Sequence, residues 1–344
     1  MKLRLFLFSA IFFLILFLLT EILLRLTLVF FGYPFFKPSD NIYKSYYTNL
    51  DPVRQKDIKS NDDIFDVLIL GGSVVSTPWS NLEARLDTIL KDEYKDRKFA
   101  FYNIAGAGHT SLDNALKYTL LDKQRFDLVF YYEAINENRA NNIPAKDFRQ
   151  DYSHIQWYDG IYLLQAHPEI NITVIPYVVD KAIRFIRDNI KKRVFISQDK
   201  VDPAYAVFGS DIKTAVPYQK NIERLIKTAA SRGDKLVLMS YASYFPPNVK
   251  LTGKEKDMKH FAGCRFASPV TIWGLPENVH KGIEIHNMGL RKLVKKYRMP
   301  FLDMEATMPK DSTLFCDVCH VSEAGAQRFA HEMAGFIIRE KIVK

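Results

Sequence analysis

Asp66-Val67-Leu68-Ile69-Leu70-Gly71-Gly72-Ser73 joins an unbroken apolar run to two glycines and a serine. A short apolar run without polar alternation is the pattern of a strand buried on both faces, as in a parallel sheet covered by helices. Two glycines at its carboxyl end permit a sharp turn. Ser73 would then project from the sheet edge at the start of a helix, its own N–H free to face an anion. An ordinary strand-to-helix turn with a serine cap has the same local appearance. A dinucleotide-binding loop does not, because GGSVVS lacks the GxGxxG spacing.

The same rhythm continues outward. Residues 80–94 place Leu82, Leu86, Ile89 and Leu90 on one side of a helix, and 98–104 read as a second strand. Thr110 or Ser111 can cap a helix carrying Leu112, Ala115, Leu116 and Leu120, and Asp127–Tyr132 (DLVFYY) is a third strand. A helix near 216–232 leads into a strand at 235–240, and a helix at 279–297 leads into a short strand at 299–303. Ser322 is a natural cap for a final helix running to about residue 342. Strands alternating with helices imply an α/β fold with a parallel sheet, right-handed crossovers and helices on both faces. Loops that carry function then sit at the carboxyl ends of the strands.

Two stretches interrupt this order. Residues 245–278, with Pro246, Pro247 and Pro269, read as a long loop, and residues 140–215 break the alternation with a helical insertion. Within the insertion, 174–193 spaces Ile175, Val178, Val179, Ala182, Ile183, Ile186 and Ile190 apart from Lys181, Arg184, Arg187, Lys191 and Lys192. That is a basic amphipathic helix, which either packs on the rest of the protein or lies on a membrane surface.

Ahead of the first strand, residues 5–20 (LFLFSAIFFLILFLLT) carry no charge, and the apolar character continues past Glu21 and Arg25 to Phe31. A helix over these residues would be about 40 Å long, enough for a hydrocarbon core of about 30 Å. Glu21 and Arg25 stand four apart and can pair on one face. No small-x-small cleavage site follows, so residues 1–32 read as a retained transmembrane anchor rather than a cleaved signal. Lys2 and Arg4 favour a cytoplasmic N-terminus, which places residues 33–344 outside the cytoplasm, periplasmic or at the cell surface. Residues 33–64 are polar with Pro34 and Pro38 and read as a linker, leaving 65–344 as one large domain.

Composition narrows the partners. With 48% hydrophobic and 25% charged residues in 344, the chain is globular rather than disordered. The net charge of +9 comes from scattered Lys and Arg with no aromatic–basic motif, so nucleic acid is not expected; a solvated surface, or attraction to anionic lipid or an acidic polymer, accounts for it. Cys264, Cys316 and Cys319 are too few for a disulfide scaffold and lack the second ligand pair of a zinc site. One disulfide, joining Cys264 to Cys316 or to Cys319, is open to them in an oxidising compartment.

Four stations fall at strand ends or their equivalent. Gly71-Gly72-Ser73 follows the first strand, and Asn103-Ile-Ala-Gly-Ala-Gly108-His109-Thr-Ser111 follows the second. Glu133-Ala134-Ile-Asn136-Glu137-Asn138 follows the third, and Asp317-Val-Cys-His320 precedes the last helix. Each has a plain structural explanation alone: a turn glycine, an asparagine cap, a surface histidine. Together, in the order Ser, Gly, Asn, Asp–His, they resemble the SGNH/GDSL hydrolase superfamily over about residues 66–342. Two departures stand out: the aspartate of the family's GDS block is Gly72 here, and its GxND block reads Ala134-Ile-Asn136-Glu137.

The resemblance implies a three-layer α/β/α domain on a parallel five-stranded sheet, of the flavodoxin-like SGNH-hydrolase kind. It implies Ser73 as nucleophile, His320 as base and Asp317 as its orienting carboxylate, with N–H groups of Ser73, Gly108 and the Asn136 amide as oxyanion donors. It implies hydrolysis of a carboxylic ester through an acyl-serine, without metal or organic cofactor, on an acyl-ester substrate that is a lipid or an acylated glycan. An O-acyltransferase modifying an envelope polysaccharide, or a non-catalytic glycan-binding protein on the same scaffold, are the alternatives. His109 is expected to be a surface imidazole.

Overall fold

The computed structural model describes residues 2–60, 62–264 and 266–343 and divides the chain into two compact units. The larger unit joins residues 52–152 to 196–344, and the smaller joins 1–51 to 153–195.

The larger unit is built on five parallel strands: β1 Ile64–Gly71, β2 Lys98–Asn103, β3 Leu128–Tyr132, β4 Lys235–Met239 and β5 Phe301–Leu302. Their order is β2-β1-β3-β4-β5. The strand order reverses at β1, so the loops leaving β1 and β3 diverge and open a crevice at their carboxyl ends. The sheet therefore places Ser73 and Asn136, both just past strand ends, at one rim.

Burial on both faces explains the unbroken apolar reading of β1. Phe65, Val67 and Ile69 join Leu128, Phe130, Tyr132, Val237 and Met239 in the core cluster, with Leu82, Leu86, Leu90, Phe329 and Met333 from the helices Leu82–Glu93 and Glu323–Arg339. The alternating residues Leu68, Leu70, Val129, Tyr131, Leu236 and Leu238 are equally buried and point the other way. The helices Ser111–Leu120, Ala215–Arg232 and Pro276–Tyr297 form the opposite layer. This is the three-layer α/β/α arrangement expected from the sequence.

Several boundaries differ from the expectation for physical reasons. Strand β5 is only two residues long: Pro300, just before it, lacks an N–H for the ladder although its carbonyl accepts from Leu238 N at 3.1 Å, and the helical turn Met304–Thr307 begins two residues after it. Ser73 does not open the long helix. It opens a 3-10 turn, Ser73–Val75, followed by the short turn Thr77–Ser80 and by Asn81 in the left-handed region (φ 45°). Between Met239 and Pro276 the described residues form no strand and no α-helix, only the 3-10 turns Glu255–His260 and Val270–Ile272. Cys264 and Cys316 form the disulfide that fastens this loop, 52 positions apart in the chain, and the buried Cys319 keeps its thiol.

The smaller unit contains the helix Lys2–Phe30, which is long and apolar enough to cross a membrane. Leu3 to Leu19 are largely exposed, whereas Glu21 and Arg25 are buried. Arg25 Nε donates to Glu21 Oε1 at 2.6 Å, the pairing their spacing predicts. Glu21 also accepts from Thr173 Oγ1 at 2.8 Å and Val174 N at 3.0 Å, and Arg25 donates to the Ile172 carbonyl at 3.0 Å. Leu24 and Leu28 pack on a cluster of Leu163, Leu164, Ile170, Val174 and Tyr177. The segment read as a linker contains the helix Pro38–Tyr46, started by proline in its first turn, and Tyr43 and Tyr46 join the same cluster.

Truncating a residue packed on both sides should be costly. Leu68→Ala is expected to lower stability by about 2–5 kcal/mol, read as a lower urea midpoint at unchanged slope. Val207→Ala, at a position 59% exposed, should shift it by no more than about 0.5 kcal/mol. Equal effects would contradict the described core.

Candidate active site

Ser73 is 5% exposed, and its Oγ lies 2.7 Å from His320 Nε2. These residues are 247 positions apart. His320 comes from a tight loop in which Phe315 and Val321 pair antiparallel and Cys316 N donates to the His320 carbonyl at 2.7 Å. Asp317 shapes the interior of that loop. Its Oδ1 accepts from Cys319 N and His320 N, both at 2.8 Å, a carboxylate turn typical of Asp. Its Oδ2 lies 2.6 Å from His320 Nδ1 and accepts from Ser268 N at 2.6 Å.

Burial works to raise the Asp317 carboxyl, but the adjacent imidazole and the backbone N–H groups outweigh it and hold the acid below its usual range. The carboxylate is therefore charged and fixed, and it holds the proton of the imidazole on Nδ1. That leaves Nε2 as the acceptor facing Ser73. Trp79 stacks on the imidazole at 3.8 Å between ring centroids and 20° between planes, and Phe266 lies 5.2 Å from Trp79. The ring is thus oriented from its edge by Asp317 and on its face by Trp79.

The other predicted stations converge on the same rim. Gly106 N donates to the Gly71 carbonyl at 3.2 Å, joining the loop after β2 to the one after β1. Asn136 Nδ2 donates to the His109 carbonyl at 3.0 Å, joining the loops after β2 and β3. Asn136 Oδ1 accepts from Trp273 Nε1 at 2.9 Å, which settles which end of the amide bears the donors. Gly108 has φ +75°, the left-handed region that glycine tolerates. Among the described residues, neither the Ser73 N–H nor the Gly108 N–H donates to a protein acceptor.

Gly72 explains a departure noted in the sequence. A Cβ at this position would sit 1.9 Å from Glu133 Oε2 and 2.9 Å from Asn136 Nδ2. The Glu133 carboxyl therefore occupies the space that a side chain at 72 would need. Its Oε1 accepts from Asn136 N at 2.7 Å, so it braces the loop carrying the candidate amide. Burial pushes this carboxyl well above its usual range, against the pull of the Asn136 N–H. Glu137, the second departure, accepts from Ser111 N at 2.5 Å and from the Tyr152 hydroxyl.

His109 is not a surface imidazole. It is buried, with Lys117 Nζ 2.8 Å from its Nδ1, and Lys117 also donates to the Ile104 carbonyl at 2.5 Å. Burial, reinforced by the Lys117 charge, takes the imidazole down to about 3, and burial brings the Lys117 amine down to about 7 against the pull of Asp113. The pair holds the loop after β2 from beneath. Nothing in the sequence around His109 signals it, because Lys117 reaches it from the inner side of the next helix.

Asp317, Cys319 and His320 also bring three potential metal donors together. Their chemistry does not fit a metal. Both imidazole nitrogens are engaged, by Ser73 and Asp317, and burial pushes the Cys319 thiol well above its usual range, so thiolate is disfavoured.

No family model matches the chain, and no curated protein matches it. Solved structures to which it is similar include GDSL-like lipases, acylhydrolases and acetyl xylan esterases. A GDSL-like lipase from Bacteroides thetaiotaomicron is 13% identical and aligns over 87% of this chain and 96% of its own at a TM-score of 0.41. A mutant form of an acetyl-xylooligosaccharide esterase from Geobacillus is 13% identical over 82% of this chain and 96% of its own, with a TM-score of 0.43. A lipase/acylhydrolase from Enterococcus faecalis is 10% identical over 80% and 96%, with a TM-score of 0.41.

The contact between Gly72 and Glu133 can be tested by a double-mutant cycle. Gly72→Ala should destabilise by about 1–3 kcal/mol through overpacking. In a Glu133→Ala background the same change should cost less, with a coupling of at least about 0.5 kcal/mol. Strict additivity in urea denaturation would contradict the described contact.

Proposed function

We propose that this chain is a membrane-anchored serine ester hydrolase of the SGNH type, removing acyl groups from a lipid or an acylated glycan through an acyl-serine. The observation that carries this reading is the Asp317–His320–Ser73 relay, with contacts of 2.6 and 2.7 Å. An alcohol so placed is a weak nucleophile made competent by a neighbouring base.

In the first half-reaction, Ser73 Oγ attacks the ester carbonyl carbon while its proton passes to His320 Nε2. The carbonyl oxygen becomes an oxyanion, met by the N–H groups of Ser73 and Gly108 and the second amide hydrogen of Asn136. Collapse breaks the bond to the leaving alcohol, which takes the proton from His320, and leaves the acyl group on Ser73. In the second half-reaction His320 removes a proton from water as that water attacks the acyl carbon; the bond from the acyl carbon to Ser73 Oγ then breaks, Oγ takes the proton back from His320, and the carboxylic acid leaves. Asp317 stays ionised throughout and stabilises the imidazolium formed in each half.

Retention of the N-terminal helix is supported by Glu21 and Arg25. Both are buried and hydrogen-bonded to residues 171–174 of the smaller unit, a fastening that removal of the helix would leave unsatisfied. The Cys264–Cys316 disulfide fits an extracytoplasmic catalytic domain.

The test is p-nitrophenyl acetate turnover by the full chain in detergent. Ser73→Ala should reduce turnover to background, and Asn136→Ala should lower kcat by about 10²–10³ through the loss of one oxyanion donor. Unchanged turnover in Ser73→Ala would overturn the reading.

A further inference from the structure

The helix Ile175–Ile190 is apolar on two sides, and the fold uses only one of them. Val174, Tyr177 and Val178 face the cluster that includes Leu24 and Leu28 of the N-terminal helix. At about 100° per residue, Val179, Ile183, Ile186 and Ile190 fall within an arc of about 60° on the opposite side. Ile183, Ile186 and Ile190 are 56, 57 and 76% exposed. Ile172, just before the helix, is 83% exposed. A stripe of this size left in water is costly, which marks a surface that meets something apolar.

The surroundings say what covers it. Arg187, Lys191 and Lys192 are exposed around this end of the helix. Apolar side chains bordered by cations match the boundary between acyl chains and anionic headgroups. The start of the helix is fastened to the N-terminal helix at a definite height: Glu21 accepts from Val174 N, and Arg25 donates to the Ile172 carbonyl. The exposed apolar run ahead of that joint, Leu3–Leu19, is about 26 Å long at 1.5 Å per residue, and the exposed Ile22, Leu23, Leu26 and Phe30 carry it past the joint, so the whole run exceeds a hydrocarbon core of about 30 Å. The joint therefore lies toward the C-terminal end of the candidate span, nearer one face of a bilayer than its middle.

We propose that Ile175–Ile190 is an interfacial helix whose Val179–Ile183–Ile186–Ile190 stripe lies in the headgroup region of an anionic bilayer beside the anchor. The proposal rests on the retained anchor and is independent of the chemistry at Ser73. It gives the smaller unit a function of its own: a second membrane attachment, placed by hydrogen bonds to the first.

Full-length chain in nanodiscs containing phosphatidylglycerol, at one copy per disc, provides the test. Single cysteines at Ile183→Cys, Ile186→Cys and Lys181→Cys accept an environment-sensitive fluorophore, since Cys319 is buried and the other two cysteines are bridged. Probes at 183 and 186 should be blue-shifted and quenched by brominated lipid, while the probe at 181, on the other side of the helix, should emit as in water. Replacing the anionic lipid by phosphatidylcholine should reduce the quenching. Water-like emission at 183 and 186 would overturn the proposal, as would a blue shift that appears only when several copies share a disc, which would identify a second copy as the cover. Ile15→Cys separates the two readings. If the probe at 15 escapes quenching, the anchor itself is wrong; if 15 is quenched and 183 and 186 are not, the interfacial helix alone fails.

Discussion

The contact between His320 Nε2 and Ser73 Oγ, at 2.7 Å, can exist only if two loops 247 positions apart in the chain are held to within a fraction of an ångström. Most of the polar order around it serves that requirement. Asp317 turns its own loop through two backbone N–H bonds and then uses its other oxygen on the imidazole. Ser268 N adds a bond from the long loop that the Cys264–Cys316 bridge fastens. On the other side, the sheet order puts the carboxyl ends of β1 and β3 next to each other, so Ser73 and Asn136 arise from neighbouring strands.

Gly72 and Glu133 share one space at the end of the sheet. A carboxyl at the start of the β3 loop fills the space beside Ser73, and the residue at 72 must then have no side chain. The Glu133 carboxyl holds the Asn136 backbone, while Trp273 and the His109 carbonyl hold the Asn136 amide at both ends. The amide's orientation is set by two groups from two other segments of the chain. In the proposed reaction, a donor held in this way would meet a developing charge with little reorganisation.

The sheet was legible because β1, β3 and β4 are buried on both faces and read as continuous apolar runs, and because each helix between them carries a clear apolar side. Ser73, Gly108 and Asn136 could be singled out as candidates because each follows the end of a strand, and Asp317 and His320 because an Asp-x-x-His stands in the loop before the last helix, where order along the chain is informative. What supports them was not. Trp79, Trp273 and Lys117 act through contacts made across the fold, and no spacing in the chain encodes these. The smaller unit was also hidden. Its core is assembled from two stretches more than a hundred residues apart, so the tyrosines of 33–46 look like part of a polar linker until residues 163–177 are set against them.

The most direct measurement is mass spectrometry of the folded, full-length chain after treatment with a fluorophosphonate, with the adduct located by peptide mapping. A serine activated by a neighbouring imidazole should take up a single adduct at Ser73, and prior denaturation or His320→Ala should abolish it. An unmodified Ser73 peptide in the folded wild-type chain, or an adduct confined to another serine, would contradict the account.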